Sequence, residues 1–234
     1  MLINPIASSS RGNAVHISDG VSSLLLEAGV GLQRLRDANI DLVQLSGVLV
    51  THEHGDHFKY ARELARYTKI YSTKETLDKQ DFGRLEYNKV AIEKGKAFKV
   101  GTFINIAFEA QHDAADPVSY LVHSKRLDEK LLFITDTFYV KNKLPAVDYI
   151  MIECNYSSDI VKKNLENGMP EVRVKRLFTS HMSLENCIKF LKVQDLSKCK
   201  AIYLMHLSDG NSDAELFKRE VMKATGKVVY VCES

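Results

Sequence analysis

The sequence predicts an α/β protein in which two sheets pack face to face with helices outside. Three observations lead there. The early apolar segments are short, strand-like and separated by turn residues. The later apolar runs alternate with helical stripes of period 3.6. No low-complexity linker interrupts the 234 residues, so the elements belong to one layered body spanning residues 1–234.

Residues 13–18 and 22–27 read as a strand pair joined by Asp19-Gly20, a hairpin turn signal. The preceding run Ser8-Ser9-Ser10-Arg11-Gly12-Asn13 is rich in small, turn-forming residues and reads as a turn. Glu27-Ala28-Gly29 closes the second strand, and Leu32, Leu35 and Ala38 predict a short amphipathic helix. Val48-Leu49-Val50 is a buried strand, and Phe58, Ala61, Leu64 and Ala65 recur at helical spacing beyond it. Residues 69–72 are strand-like, whereas 73–96 are polar and without a clear period. Strands follow at 103–108, 118–123, 131–135 and 149–153. Leu184, Cys187, Ile188 and Leu191 form a helical stripe after Ser183, a good N-cap. A strand at 201–205, a helix through Ala214, Phe217 and Val221, and a strand at 227–232 complete the chain.

Composition bounds the function. Apolar residues make up 45%, enough for a core without covalent staples, and the net charge of +2 does not by itself imply a nucleic-acid partner. The four cysteines, Cys154, Cys187, Cys199 and Cys232, are scattered without a C-x-x-C pair, which suits buried thiols in a reducing compartment. Met-Leu-Ile-Asn-Pro lacks the basic and apolar regions of a signal peptide, and no apolar run approaches membrane length. A soluble, cytoplasmic protein is expected, with no membrane contact.

The chemistry concentrates in Thr51-His52-Glu53-His54-Gly55-Asp56-His57, which places three histidines and an aspartate within six residues at the end of a buried strand. His52 and His54, two apart, do not share a helix face, and the strand has ended by Thr51, so the side chains converge from a turn. Converging imidazoles with one carboxylate offer the mixed N/O ligation of Zn(II), with Mn(II) or Fe(II) as alternatives.

This stretch resembles the HxHxDH signature of the metallo-β-lactamase-fold hydrolases. The resemblance implies an αββα four-layer sandwich and two divalent metal ions, His52 and His54 serving one, Asp56 and His57 the other. It further implies a downstream histidine, a bridging aspartate and a last histidine. His112, Asp136 and His206 each stand where a predicted strand hands over to a loop, and so fit those three places. By resemblance His52, His54 and His112 bind one ion, Asp56, His57 and His206 the other, and Asp136 bridges. Five neutral imidazoles and two carboxylates leave residual positive charge on two divalent ions, which favours a bridging hydroxide nucleophile and an anionic, phosphate-bearing substrate. His16 and His123 lie in mid-strand and read as structural.

A second cluster, Thr179-Ser180-His181-Met182-Ser183-Leu184-Glu185-Asn186, puts His181 just before a helix start, behind Arg173, Lys175 and Arg176. Helix-start amides and basic side chains attract phosphate, and an imidazole is suited to protonate a leaving alkoxide. Together with the 6–13 run, His112-Asp113-Ala114-Ala115-Asp116-Pro117, Ile134-Thr135-Asp136-Thr137, Glu153-Cys154-Asn155 and His206-Leu207-Ser208, this cluster resembles the YycJ/WalJ branch of the fold, associated with DNA exonuclease activity. It is also similar to tRNase Z enzymes, whose equivalent histidine is a proposed proton donor. The resemblance implies a phosphodiesterase acting on nucleic acid, DNA before RNA, with Asp56 and His181 catalytic and Ser10, Asn13, Asn155 and His181 contacting substrate.

The chain departs from that branch at Glu27, where an aspartate is usual, and at Tyr156, where a histidine is common. Glu27 is expected to act as an acceptor behind the ligands. The stretch from Asp136 to His206 is too short for a β-CASP insertion. The competing readings are a small-substrate hydrolase (cyclic-nucleotide phosphodiesterase, thioesterase or lactamase) and a non-catalytic, metal-bearing DNA-binding module.

Overall fold

A computed structural model describes residues 1–140 and 144–232. Its strands form two mixed sheets. The first contains β1 (Leu2–Ser9), β2 (Gly12–Ser18), β3 (Ser23–Leu26), β4 (Leu45–Leu49), β5 (Ile70–Ser72) and β6 (Lys89–Ala91) in chain order. The second contains β7 (Ala97–Val100), β8 (Phe103–Glu109), β9 (Val118–Ser124), β10 (Glu129–Ile134), β11 (Tyr149–Glu153), β12 (Ala201–Met205) and β13 (Val228–Val231), again neighbour to neighbour. Eight α-helices are described, besides two short 3-10 helices: α1 (Leu32–Asp37), α2 (Gly55–Phe58), α3 (Ala61–Leu64), α4 (Lys74–Leu77), α5 (Ser158–Glu166), α6 (Glu171–Ser180), α7 (Leu184–Val193) and α8 (Ala214–Thr225). None of the described helices is long and apolar enough to cross a membrane.

The chain divides into two compact units. The first comprises residues 1–109 and 114–130 among those described. Here β1, β2 and β3 are antiparallel and β3 to β6 are parallel. One sheet face is covered by helices, with Leu35 of α1, Phe58 of α2, Leu64 of α3 and Leu77 of α4 packing around Leu25, Val48 and Ile70. The other face meets β7 to β9. Phe98 stacks on Tyr71 with centroids 5.8 Å apart, and the Tyr120 hydroxyl donates to Val50 O at 2.7 Å.

The second unit comprises residues 110–113 and 131–232. Its strands β10 to β13 are parallel; β10, β11 and β12 carry near-continuous buried apolar runs, whereas β13 at the sheet edge alternates between buried and exposed residues. Ile134, Ile152 and Leu204 lie in register, so the loops that follow β10, β11 and β12 leave from the same sheet edge. Ser183 caps α7 by accepting from Asn186 N at 3.1 Å, as its sequence predicts.

Two expectations need correction. Residues 8–13 are not a free turn: Ser8 and Ser9 end β1, Gly12 and Asn13 open β2, and only Ser10 and Arg11 make the reversal. The helix after the histidine motif is two single turns, α2 and α3, because Ala28 O captures Tyr60 N between them.

Gly29 fixes the approach of the β3 exit to the histidine motif. A Cβ there would stand 1.7 Å from Asp56 O and 2.5 Å from Asn13 N. Gly29→Ala must therefore displace the Asp56 backbone and should destabilise by about 1–3 kcal/mol. A thermal melt should fall by roughly 2–4 °C per kcal/mol; an unchanged melt would show that the loop yields without cost.

Candidate metal centre

In the first unit, β4 stops at Leu49 and the chain passes through Thr51 into the histidine turn, held by the β3 exit. Glu27 N donates to Leu49 O at 2.9 Å, and Thr51 N donates to Glu27 Oε2 at 3.3 Å. Ala28 N then takes His57 O at 2.7 Å. The three rings gather as the sequence expects. His52 lies 4.7 Å from His54 and 4.2 Å from His57, centroid to centroid, and His57 Nε2 is 3.2 Å from Asp56 Oδ2.

Behind the rings stand acceptors that fix their orientation. His57 Nδ1 is 3.5 Å from the fully buried Glu27 Oε2, a contact longer than a hydrogen bond. His52 Nδ1 is 2.9 Å from Thr51 Oγ1. Partners at Nδ1 are the arrangement by which ligating imidazoles are aimed through Nε2.

Asn13 does not present its amide outward. It is buried, and its Nδ2 lies 3.1 Å from Ser9 O, 3.2 Å from Asp56 Oδ2 and 3.0 Å from His57 Nε2. Ser10 is exposed at the hairpin tip.

In the second unit the parallel strand ends deliver the remaining residues. Asp136 follows β10 by two positions and His206 follows β12 by one, both buried and both with left-handed backbones, φ 45° and 54°. Non-glycine residues avoid that region unless their surroundings over-determine it. His112 joins them because Gln111 N donates to Thr137 Oγ1 at 2.8 Å and Phe138 N donates to Gln111 O at 3.2 Å.

The Asp136 carboxylate faces two imidazoles at once. Oδ2 is 3.7 Å from His112 Nε2, and Oδ1 is 3.7 Å from His206 Nε2. Those gaps are too long for hydrogen bonds. Two ligands at about 2.1 Å on a tetrahedral ion stand ~3.4 Å apart, so the spacing fits donors of a shared cation. His112 Nδ1 is anchored 2.7 Å from Ser180 O, and burial holds its imidazole below the ordinary value, favouring the neutral form that ligates.

Glu153 is the residue whose role the sequence did not reveal. Fully buried at the end of β11, it accepts Thr137 N at 2.9 Å and Met182 N at 3.1 Å through Oε2, while Oε1 is 2.6 Å from His181 Nδ1. His181, the C-cap of α6, keeps a side-chain exposure of 20% and stacks on His206 with centroids 5.4 Å apart. Potential donor atoms of Asp136, Glu153, His181 and His206 all lie within 4.8 Å of one another.

Asn155, like Asn13, turns inward, with Nδ2 2.7 Å from His206 O and 3.0 Å from His206 Nδ1. Tyr156 is buried, its ring 5.4 Å from Phe178, and burial with the nearby Glu185 pushes its hydroxyl up to about 12. It serves packing. The α7 start offers less to a phosphate than expected, since Leu184 N is taken by Tyr156 O at 2.7 Å and Asn186 N by Ser183 Oγ. Of the basic residues before His181, Lys175 and Arg176 are exposed on α6; the side chain of Arg173 lies outside the described residues.

Comparison with known proteins places the fold. The model of the beta-lactamase superfamily domain matches residues 4–207. Exodeoxyribonuclease YycJ of Bacillus anthracis is 29% identical over 237 residues, covering 92% of this chain and 86% of that protein. Among solved structures, the metallo-beta-lactamase fold protein YhfI of Bacillus subtilis superposes with a TM-score of 0.77 at 14% identity, covering 99% of this chain and 96% of that one. Human tRNase Z, short form, gives 0.65 at 15% identity, covering 99% and 96%. The two mixed sheets with flanking helices are thus the metallo-β-lactamase fold, and the chain belongs to the beta-lactamase superfamily domain family.

Proposed function

We propose that the protein is a dinuclear metal-dependent phosphodiesterase acting on DNA as an exonuclease, with residues 1–234 serving as one catalytic domain. In this reading His52, His54, Asp56, His57, His112, Asp136 and His206 hold two divalent cations, Zn(II) first and Mn(II) as the alternative. The observation that carries it is the Asp136 carboxylate, each oxygen 3.7 Å from a different imidazole Nε2. Support also comes from the exodeoxyribonuclease name of the Bacillus anthracis relative and from the tRNase Z likeness.

Bound there, two cations would supply Lewis acidity, a lowered pKa for bound water and positive charge toward an anionic phosphodiester. The chain's own residues orient and move protons. Asn155 acts from behind, its amide on His206 Nδ1, whereas the buried Asn13 amide contacts Asp56 Oδ2 and His57 Nε2 themselves. His181 is the proton donor to the leaving alkoxide. With Nδ1 on Glu153, its Nε2 is the nitrogen that donates, as a carboxylate-oriented imidazole does. Glu153 is a positioning residue whose hydrogen bonds from two backbone amides keep the carboxylate aimed at His181.

The direct test is degradation of 5′-labelled single- and double-stranded DNA by purified protein loaded with Zn(II) or Mn(II). About two metal equivalents per chain are expected, and chelation should abolish cleavage. Asp136→Ala should lose metal and activity together. Turnover of thioester or lactam substrates with intact DNA would overturn the proposal.

The proton-donor role has its own test. His181→Ala should retain metal yet lower kcat by about 10²–10⁴. Glu153→Gln should lower kcat with little change in KM, and the double variant should lose scarcely more than His181→Ala, because the two act as one unit. Additive losses would separate their roles.

A further inference from the structure

The helix that leads into His181 carries an exposed face that the chemistry above does not use. Helix α6 has 10 residues, and its exposed positions Val172, Lys175, Arg176 and Thr179 recur at i, i+3, i+4 and i+7, so they form one stripe. Val172 is 82% exposed. Lys175 and Arg176 make no salt bridge among the described residues. The one acidic residue of the helix, Glu171, stands at the end remote from His181.

Phe178, one turn beyond Lys175 and beside Thr179, is 47% exposed although it is a large aromatic. Its ring rests 5.4 Å from the buried Tyr156 ring at 35°, so one side is braced while part of the ring meets solvent. Tyr156 in turn packs with Val161 and Val174, which anchors the platform to the hairpin of α5 and α6. A braced, half-exposed aromatic next to two cations has the chemistry that takes an unstacked base and its flanking phosphates.

Resting on the phosphodiesterase reading, we propose that this face of α6 is the track along which a single-stranded nucleic acid leaves the reacting phosphate. Lys175 and Arg176 contact the backbone, and Phe178 stacks a base. At about 1.5 Å per residue the helix runs ~15 Å from His181, enough for several nucleotides. The single strand is favoured over the duplex because Phe178 reaches a base face only where bases are unstacked.

The experiment measures binding of fluorescein-labelled oligonucleotides to full-length protein held in chelator, alongside hydrolysis of bis-p-nitrophenyl phosphate by the metal-loaded form. Lys175→Ala with Arg176→Ala should lower the slope of log K against log salt by about 1.4 for single strands. Phe178→Leu, which keeps apolar bulk, should weaken single-strand binding by about 5- to 150-fold. Both variants should melt as wild type does and hydrolyse the small diester unchanged. The control pair Lys218→Ala with Arg219→Ala on α8 makes the same charge change elsewhere and should leave binding unaltered.

Equal losses in the α8 control, wild-type binding by the α6 variants, or equal effects on duplex and single strand would overturn the assignment. The outcomes also separate the two proposals. Binding that depends on α6 in a protein without hydrolytic activity sinks the phosphodiesterase reading alone, whereas DNA cleavage with α6-independent binding sinks only the track.

Discussion

Two carboxylates without solvent exposure, Glu27 and Glu153, set the conditions for everything around them. A buried carboxylate is tolerated only when donors surround it. Each lies at a strand end and finds the same kind of company, a backbone amide on one side and an imidazole Nδ1 on the other. For Glu153 the stabilisation is mutual, since at 2.6 Å His181 satisfies the acid and the acid fixes the ring, whereas Glu27 keeps a longer 3.5 Å contact with His57 Nδ1. His181 is therefore aimed before any ligand arrives.

The strand ends carry strain as well. Glu27, Asp136 and His206 are three of the five non-glycine residues with positive φ among those described, and all three serve the histidine clusters. Such backbones cost about 1 kcal/mol or more each and persist only when the surroundings enforce them. For His206 the enforcing contact is the Asn155 amide on its carbonyl; for Asp136 it is the Thr135 hydroxyl on Oδ1 and the Thr137 amide on Glu153. Sharp reversals at these positions turn side chains off a buried strand and into the loop edge.

Much of this was legible without coordinates. The 52–57 motif announces converging imidazoles because His52 and His54, two apart at the end of a buried strand, cannot share a helix face. The apolar runs of β10, β11 and β12 reveal themselves, and with them the strand-end positions of Asp136 and His206. Other parts were hidden for identifiable reasons. Strand β1 contains Pro5 and ends in two serines, and its pairing shifts register between Pro5 and Ala7, so neither composition nor alternation marks it as a strand. Helices α5 and α6 carry mostly polar residues, and their apolar side chains bury a small local core rather than a continuous stripe.

Sequence alone determined which residue types the chemistry has at its disposal, since ligand identity and strand periodicity are local properties of the chain. Tertiary structure decided what each of them faces. Asn13 and Asn155 read from the chain as substrate contacts, yet both amides turn inward onto Asp56, His57 and His206, because buried polar groups must find partners and those were the nearest. Glu153 was visible only as part of a motif. Its hold on His181 depends on a backbone fold that brings together residues 28 positions apart, a relation between distant segments that no local pattern encodes.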